Sequence, residues 1–116
     1  MSPRSARRSR SIAVGQAAPV FAALGDETRL DLVARLCAGG PMSISRLTAG
    51  TKVTRQAVTK HLNVLAGAGL ARGTRSGRDH VWEIDAHRLE DARVWLDLIG
   101  RQWDDVLERL KASLER

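Results

Sequence analysis

The chain has 116 residues, 43% of them apolar, which is enough for one modest core and too apolar for disorder throughout. Aromatic residues make up only 3%, which argues against an open single-strand RNA platform built on stacking surfaces. The net charge of +6 is unevenly placed: residues 42–80 carry Arg46, Lys52, Arg55, Lys60, Arg72, Arg75 and Arg78 against Asp79 alone, while residues 86–116 hold six cations and seven anions. A basic middle predicts a polyanionic partner, most often nucleic acid.

The N-terminal SPRSARRSRS, with four arginines, precedes an apolar run, which is the order of an export signal. Gly15, Gln16 and Pro19 interrupt that run. Residues 1–14 are therefore expected to be a flexible basic tail and residues 15–116 the folded domain. A helix over residues 17–24 closes at Gly25. Asp26 caps a second, with Leu30, Val33, Ala34, Leu36 and Cys37 expected on its inner face. Cys37 is the only cysteine, so no intramolecular disulfide forms, and on that apolar stripe it is expected to be an inert buried thiol. The sequence GGP at 39–41 stops the helix.

Ser43 caps a short third helix ending near Gly50, and Thr54 caps a fourth running to about residue 66, where the glycines of LAGAGL end it. Residues 70–74 and 80–84 read as the strands of a hairpin, with RSGRD as the turn and Gly77 supplying the permissive backbone. From residue 86 the chain lacks proline and has one glycine. Leu89, Ala92, Leu96, Ile99, Trp103, Val106 and Leu110 recur alternately three and four residues apart, which is a heptad seam. Trp95, Leu98, Leu107 and Leu114 widen it. A helix over residues 86–115 spans roughly 40 Å at 1.5 Å per residue, more than the preceding elements can cover. The expected cover is a second copy of the chain, in a homodimer.

On a helix from Thr54, Val58, Leu62 and Leu65 fall on one side with His61 at their edge; Arg55, Gln56, Thr59, Lys60 and Asn63 fall on the other. That outward face holds a bidentate donor fork, amides, a hydroxyl and an ammonium, and no acid. Ordinary solvated faces mix acids with bases. An acid-free face beside a tight helix–turn–helix, followed by an arginine-bearing hairpin, fits double-stranded DNA better. Arg55, Gln56 and Thr59 are expected to read base edges; Lys60, Arg75 and Arg78 are expected to hold phosphates.

The stretches ALGDETRLDLVARL and SISRLTAGTKVTRQAVTKHLNVLAGAGLARGTRSGRDHVWEID resemble the winged helix–turn–helix of the ArsR/SmtB bacterial repressors. Ala23 to Arg29, then Val58, Thr59, Lys60, His61, Leu62 and Leu65, then Ala68, Gly69 and Leu70, and finally Val81 to Ile84, follow the family pattern in order. The resemblance implies a mainly α fold with a small β-hairpin and a long C-terminal dimerisation helix. It also implies a homodimer that binds a two-fold operator, with the helix from Thr54 as its recognition helix. Arg55 and Gln56 depart from the family's usual residues, so the base preference is this chain's own. One family metal site uses a pair of cysteines where this chain has Ser43 and Ser45. Another matches Asp85 and His87, but its remaining positions are Leu98 and Arg101, which do not ligate. No metal and no cofactor is expected. Asp85 is expected to cap the last helix, His87 to lie in its first turn at the surface, and His61 to pack near the core.

There is no Gly-x-Ser-x-Gly, no phosphate loop and no acid pair in an apolar pocket, so an enzyme is not expected. The sequence thus reads as a cytoplasmic, nucleoid-associated transcriptional repressor independent of metal, with no membrane segment. Two other readings remain: a repressor of the same fold that responds to metal or oxidant, and a protein-interaction module using the C-terminal helix.

Overall fold

The computed structural model describes residues 14–115, so residues 1–13 of the expected basic tail, with its arginine run, lie outside the described residues. In order the elements are α1 (Val14–Leu24), α2 (Glu27–Gly39), β1 (Met42–Ser43), α3 (Ile44–Ala49), α4 (Arg55–Gly67), β2 (Ala71–Ser76), β3 (Asp79–Ile84) and α5 (Ala86–Leu114). This is the expected mainly helical fold with a wing, plus a short strand that the sequence reading missed.

Helix α1 starts three residues earlier than expected and contains Pro19. A proline cannot bond the carbonyl four residues back, which here belongs to Gly15, an exposed residue of the first turn. Asp26 caps α2 as expected, its carboxylate accepting the Arg29 N–H at 3.0 Å. The inner face of α2 differs from the expected one. Leu32, Val33 and Leu36 are buried, whereas Leu30 is 53% exposed and Ala34 and Cys37 face outward. Helix α2 has apolar residues on more than one side, and packing against α1, α4 and β3 selects which side goes in.

Ser43 ends β1 and caps α3, accepting the Arg46 N–H at 3.2 Å. Thr54 caps α4 by accepting the Ala57 N–H at 3.1 Å. Helix α4 closes in a Schellman arrangement: Leu70 N–H donates to the Leu65 carbonyl and Gly69 N–H to that of Ala66. Gly69 takes φ +80°, which suits a residue without Cβ. The two residues at the ends of the longer bond, Leu65 and Leu70, are both fully buried, so the cap also closes the core.

The sheet is antiparallel with strand order β1–β3–β2. Met42 pairs with Trp82, and Ala71 to Ser76 pair with Ile84 to Asp79. The hairpin turn has two residues, Gly77 and Arg78, rather than the five expected. Positive φ falls on Gly77 alone, the pattern of a type II′ turn, whose twist matches that of the strands. Gly73 faces Trp82 across the strands, and the His80 and Trp82 side chains fill the space its Cβ would occupy. The core joins Val20 and Ala23 of α1 to Leu32, Val33 and Leu36, then to Ile44, Leu47, Val58, Leu62, Leu65, Leu70, Trp82 and Ala92.

Helix α5 begins at the Asp85 cap, which accepts the His87 N–H at 3.0 Å, and packs its first turns on α1. Every residue from 96 to 115 is exposed. The Cα radius of gyration is 18.2 Å, against about 13 Å for a compact chain of 100 residues, because the rest of α5 projects from the body. Among the described residues no helix is long and apolar enough to cross a membrane.

Candidate nucleic-acid interface

Helices α3 and α4 meet through a short connection that is held from behind by Arg35 of α2. Its guanidinium donates to the carbonyls of Leu47 at 2.9 Å and Arg46 at 3.2 Å, which α3 leaves unbonded at its C-terminal end. Gly50 lies directly against that guanidinium, so a side chain at this position would displace it. Ile44 and Leu47 anchor α3 in the core, and Val58, Leu62 and Leu65 anchor α4. The opposite side of α4 is thereby fixed toward solvent.

The structure places Thr54, Arg55, Gln56, Lys60 and Asn63 in exposed positions on α4, with Thr59 half-buried among them. Thr54, Arg55, Gln56, Ala57, Thr59 and Lys60 line one open hollow over the first turns of the helix. No acid occurs between Arg55 and Gly67. Two hydroxyls of this set have structural bonds. Thr54 caps the helix, and Thr59 donates to the Arg55 carbonyl at 2.9 Å, a bond that uses its proton and not its acceptor capacity. The Arg55 Nη1 donates to Ser45 Oγ of α3 at 3.3 Å. Arg75 on β2 and Arg78 in the turn are exposed on the wing. Arg72, also on β2, is instead paired with Glu83 across the strands at 3.3 Å, an ion pair on the exposed surface of the sheet.

His61 is half-buried beside the core, joined to α2 through a polar cluster. Its Nδ1 lies 3.2 Å from Arg29 Nη1 and 3.8 Å from Asp26 Oδ2. A guanidinium only donates, so the shorter contact makes Nδ1 an acceptor, and the carboxylate at 3.8 Å is a through-space neighbour. Arg29 is itself fixed by donating Nε to the Ala23 carbonyl at 2.7 Å. The cluster ties α4 to the α1–α2 junction. The backbone N–H of Arg29, aided by the charge of its guanidinium, holds the Asp26 carboxyl below its ordinary value. Sequence patterning missed the bonds of Arg29, Arg35 and Ser45, because each joins residues on different helices.

The heptad seam of α5 divides in two. Ala92 is buried in the core at 7% exposure, Leu89 packs against the core, and the half-buried Trp95 meets Phe21 edge-on with centroids 6.4 Å apart. Leu96, Ile99, Trp103, Val106 and Leu110 stand in solvent, as do Leu98, Leu107 and Leu114. Glu90 and Arg93, at the start of this region, form a bidentate pair with a closest contact of 2.8 Å. That hydrogen bond lowers the Glu90 pKa and raises that of Arg93. Among the described residues no three His, Cys, Asp or Glu side chains are grouped to hold a metal ion.

A family model described as a helix-turn-helix domain matches residues 24–74. The HTH-type transcriptional regulator Rv2034 of Mycobacterium tuberculosis is 39% identical over 85 residues, covering 73% of this chain and 76% of that protein. An ArsR-like transcriptional regulator from Rhodococcus sp. RHA1 superposes with a TM-score of 0.72 at 36% identity, covering 84% of this chain and 92% of that one. The solution structure of a homodimeric winged helix-turn-helix DNA-binding domain, Mb0332 from Mycobacterium bovis, gives 0.61 at 25% identity, covering 94% and 93%.

Proposed function

Because the chain belongs to the ArsR family of winged helix–turn–helix transcriptional regulators, we propose that it is a metal-independent repressor acting as a homodimer on a two-fold DNA operator. The observation that carries this reading is the acid-free exposed face of α4 on a rigid helix–turn–helix, flanked by the free arginines of the wing. Each subunit inserts α4 into a major groove, with half-sites about one helical turn apart, ~34–36 Å. Arg55 and Gln56 present forks that suit guanine and adenine edges, and Thr59 offers a hydroxyl oxygen. Lys60, Arg75 and Arg78 hold phosphates and fix the register.

The exposed seam of α5 supports the homodimer. An amphipathic helix projecting about 28 Å beyond the body at 1.5 Å per residue keeps its apolar stripe wet unless another helix covers it. The homodimeric M. bovis domain supports the same assembly. Metal independence is supported by the donor set: Ser43 and Ser45 are hard hydroxyls, Leu98 and Arg101 do not ligate, and Asp85 is engaged as a helix cap. Arg55→Ala is expected to cost ~1–3 kcal/mol of operator binding and to relax specificity at one base position. A gel-shift series across operator variants checks this, and equal loss on every sequence would remove Arg55 from the base-reading set.

A further inference from the structure

Arg55 is the first residue of the helix proposed to enter the groove, and its side chain is the longest there. A free arginine at such a position populates many rotamers, and freezing them on docking weakens binding and blurs the geometry of the fork. Here the guanidinium is tethered: Nη1 donates to Ser45 Oγ at 3.3 Å across the angle between α3 and α4. Ser45 is well placed to act as a fixed post. Its neighbours Ile44 and Leu47 are buried in the core, and Arg35 grips the far end of α3. One of five guanidinium donors is used, which leaves enough for a bidentate contact to a base edge. A carboxylate at this site would neutralise the cation and repel phosphates; a hydroxyl orients it without doing either.

We propose that Ser45 is a positioning residue for base recognition: its hydroxyl aims the Arg55 guanidinium and so sets the discrimination at the base pair Arg55 reads. The inference rests on the proposed base-reading role of Arg55. The experiment uses the full chain and a duplex selected with it from a randomised library. Affinities are measured for that duplex, for its single-base variants and for an unrelated duplex, with the wild type, Ser45→Ala, Ser45→Thr, Arg55→Ala and the double variant Ser45→Ala/Arg55→Ala. Ser45→Ala is expected to reduce discrimination on the order of 3–10-fold, the size of one exposed hydrogen bond. The loss falls at the same base pair that Arg55→Ala relaxes, and affinity for the unrelated duplex stays unchanged. Ser45→Thr restores the discrimination, and Ser45→Ala adds nothing in the Arg55→Ala background. Wild-type discrimination in Ser45→Ala, beside a relaxed Arg55→Ala, overturns this inference alone. So does a Ser45→Ala loss that persists in the double variant, since Ser45 would then touch DNA on its own account. If Arg55→Ala relaxes no position, the base-reading role falls and this inference falls with it.

Discussion

In α4 the apolar residues Val58, Leu62 and Leu65 are wholly buried, and the exposed polar side carries cations and amides without an acid. In α5 beyond residue 95 the apolar residues are themselves exposed, Leu96 at 57% and Trp103 at 60%, on a helix whose polar positions mix Asp97, Asp104, Asp105 and Glu108 with Arg101, Arg109 and Lys111. Both helices are amphipathic. One has its apolar partners within the chain and offers its polar face; the other offers its apolar face and keeps a charge-balanced polar face for water. The charge pattern separates the two uses: a single-sign face addresses a polyanion, while a mixed face is compatible with solvent and with another copy of itself.

Substitutions on the two apolar faces are expected to act on different quantities. Leu62→Ala truncates a fully buried side chain and is expected to cost about 2–5 kcal/mol of folding stability, read from denaturant unfolding. Trp103→Asp is expected to leave the winged body folded and to raise the dimer dissociation constant on the order of 100-fold, the scale of an aromatic anchor. Sedimentation equilibrium with far-ultraviolet dichroism checks this. If Trp103→Asp unfolded the body, the contrast between the helices would collapse; a wild type that sediments as a monomer would favour a different protein partner for α5. On the polar side, Arg78→Ala is expected to weaken binding to every duplex alike and to reduce the salt slope by about 1, measured by titration across salt concentrations. An unchanged slope would take Arg78 out of the phosphate set.

The smallest effect concerns the junction behind α4. The Asp26 carboxyl has its folded pKa lowered from the ordinary value, first because it accepts the Arg29 N–H. Its contribution to stability is complete above the unfolded value and is lost as pH falls through the lower folded value. Asp26→Asn keeps a capping oxygen but removes the titration, so it is expected to flatten the acid limb of the stability curve below about pH 4. An identical acid limb in the two proteins would show that Asp26 contributes no pH dependence.

Local chemistry explains what was readable beforehand. Asp26, Ser43, Thr54 and Asp85 each cap the helix they precede, since a side-chain oxygen there meets an N–H two or three residues on. The polar face of α4 was equally legible, because its periodicity and lack of acids are properties of one segment. Strand β1 was not, because two residues form a strand only by meeting Val81 and Trp82 some forty positions later. The face of α2 was misread at Leu30, Ala34 and Cys37, because a helix with several apolar sides is oriented by its neighbours. In the candidate interface, the pairing of Arg72 with Glu83 follows from strand register, and the Ser45–Arg55 bond follows from the angle between two helices.

The three tryptophans sit at three depths: Trp82 inside the sheet and core, Trp95 half-covered against Phe21, and Trp103 in solvent on the projecting helix. Indole emission moves to shorter wavelength as water leaves the ring, so these positions make the chain its own optical gauge. If the proposed dimer covers α5 as the concentration rises, Trp103 is expected to carry the spectral shift while Trp82 supplies a constant background. Association thus becomes visible in unlabelled protein, separately from unfolding, which would move Trp82 in the opposite direction.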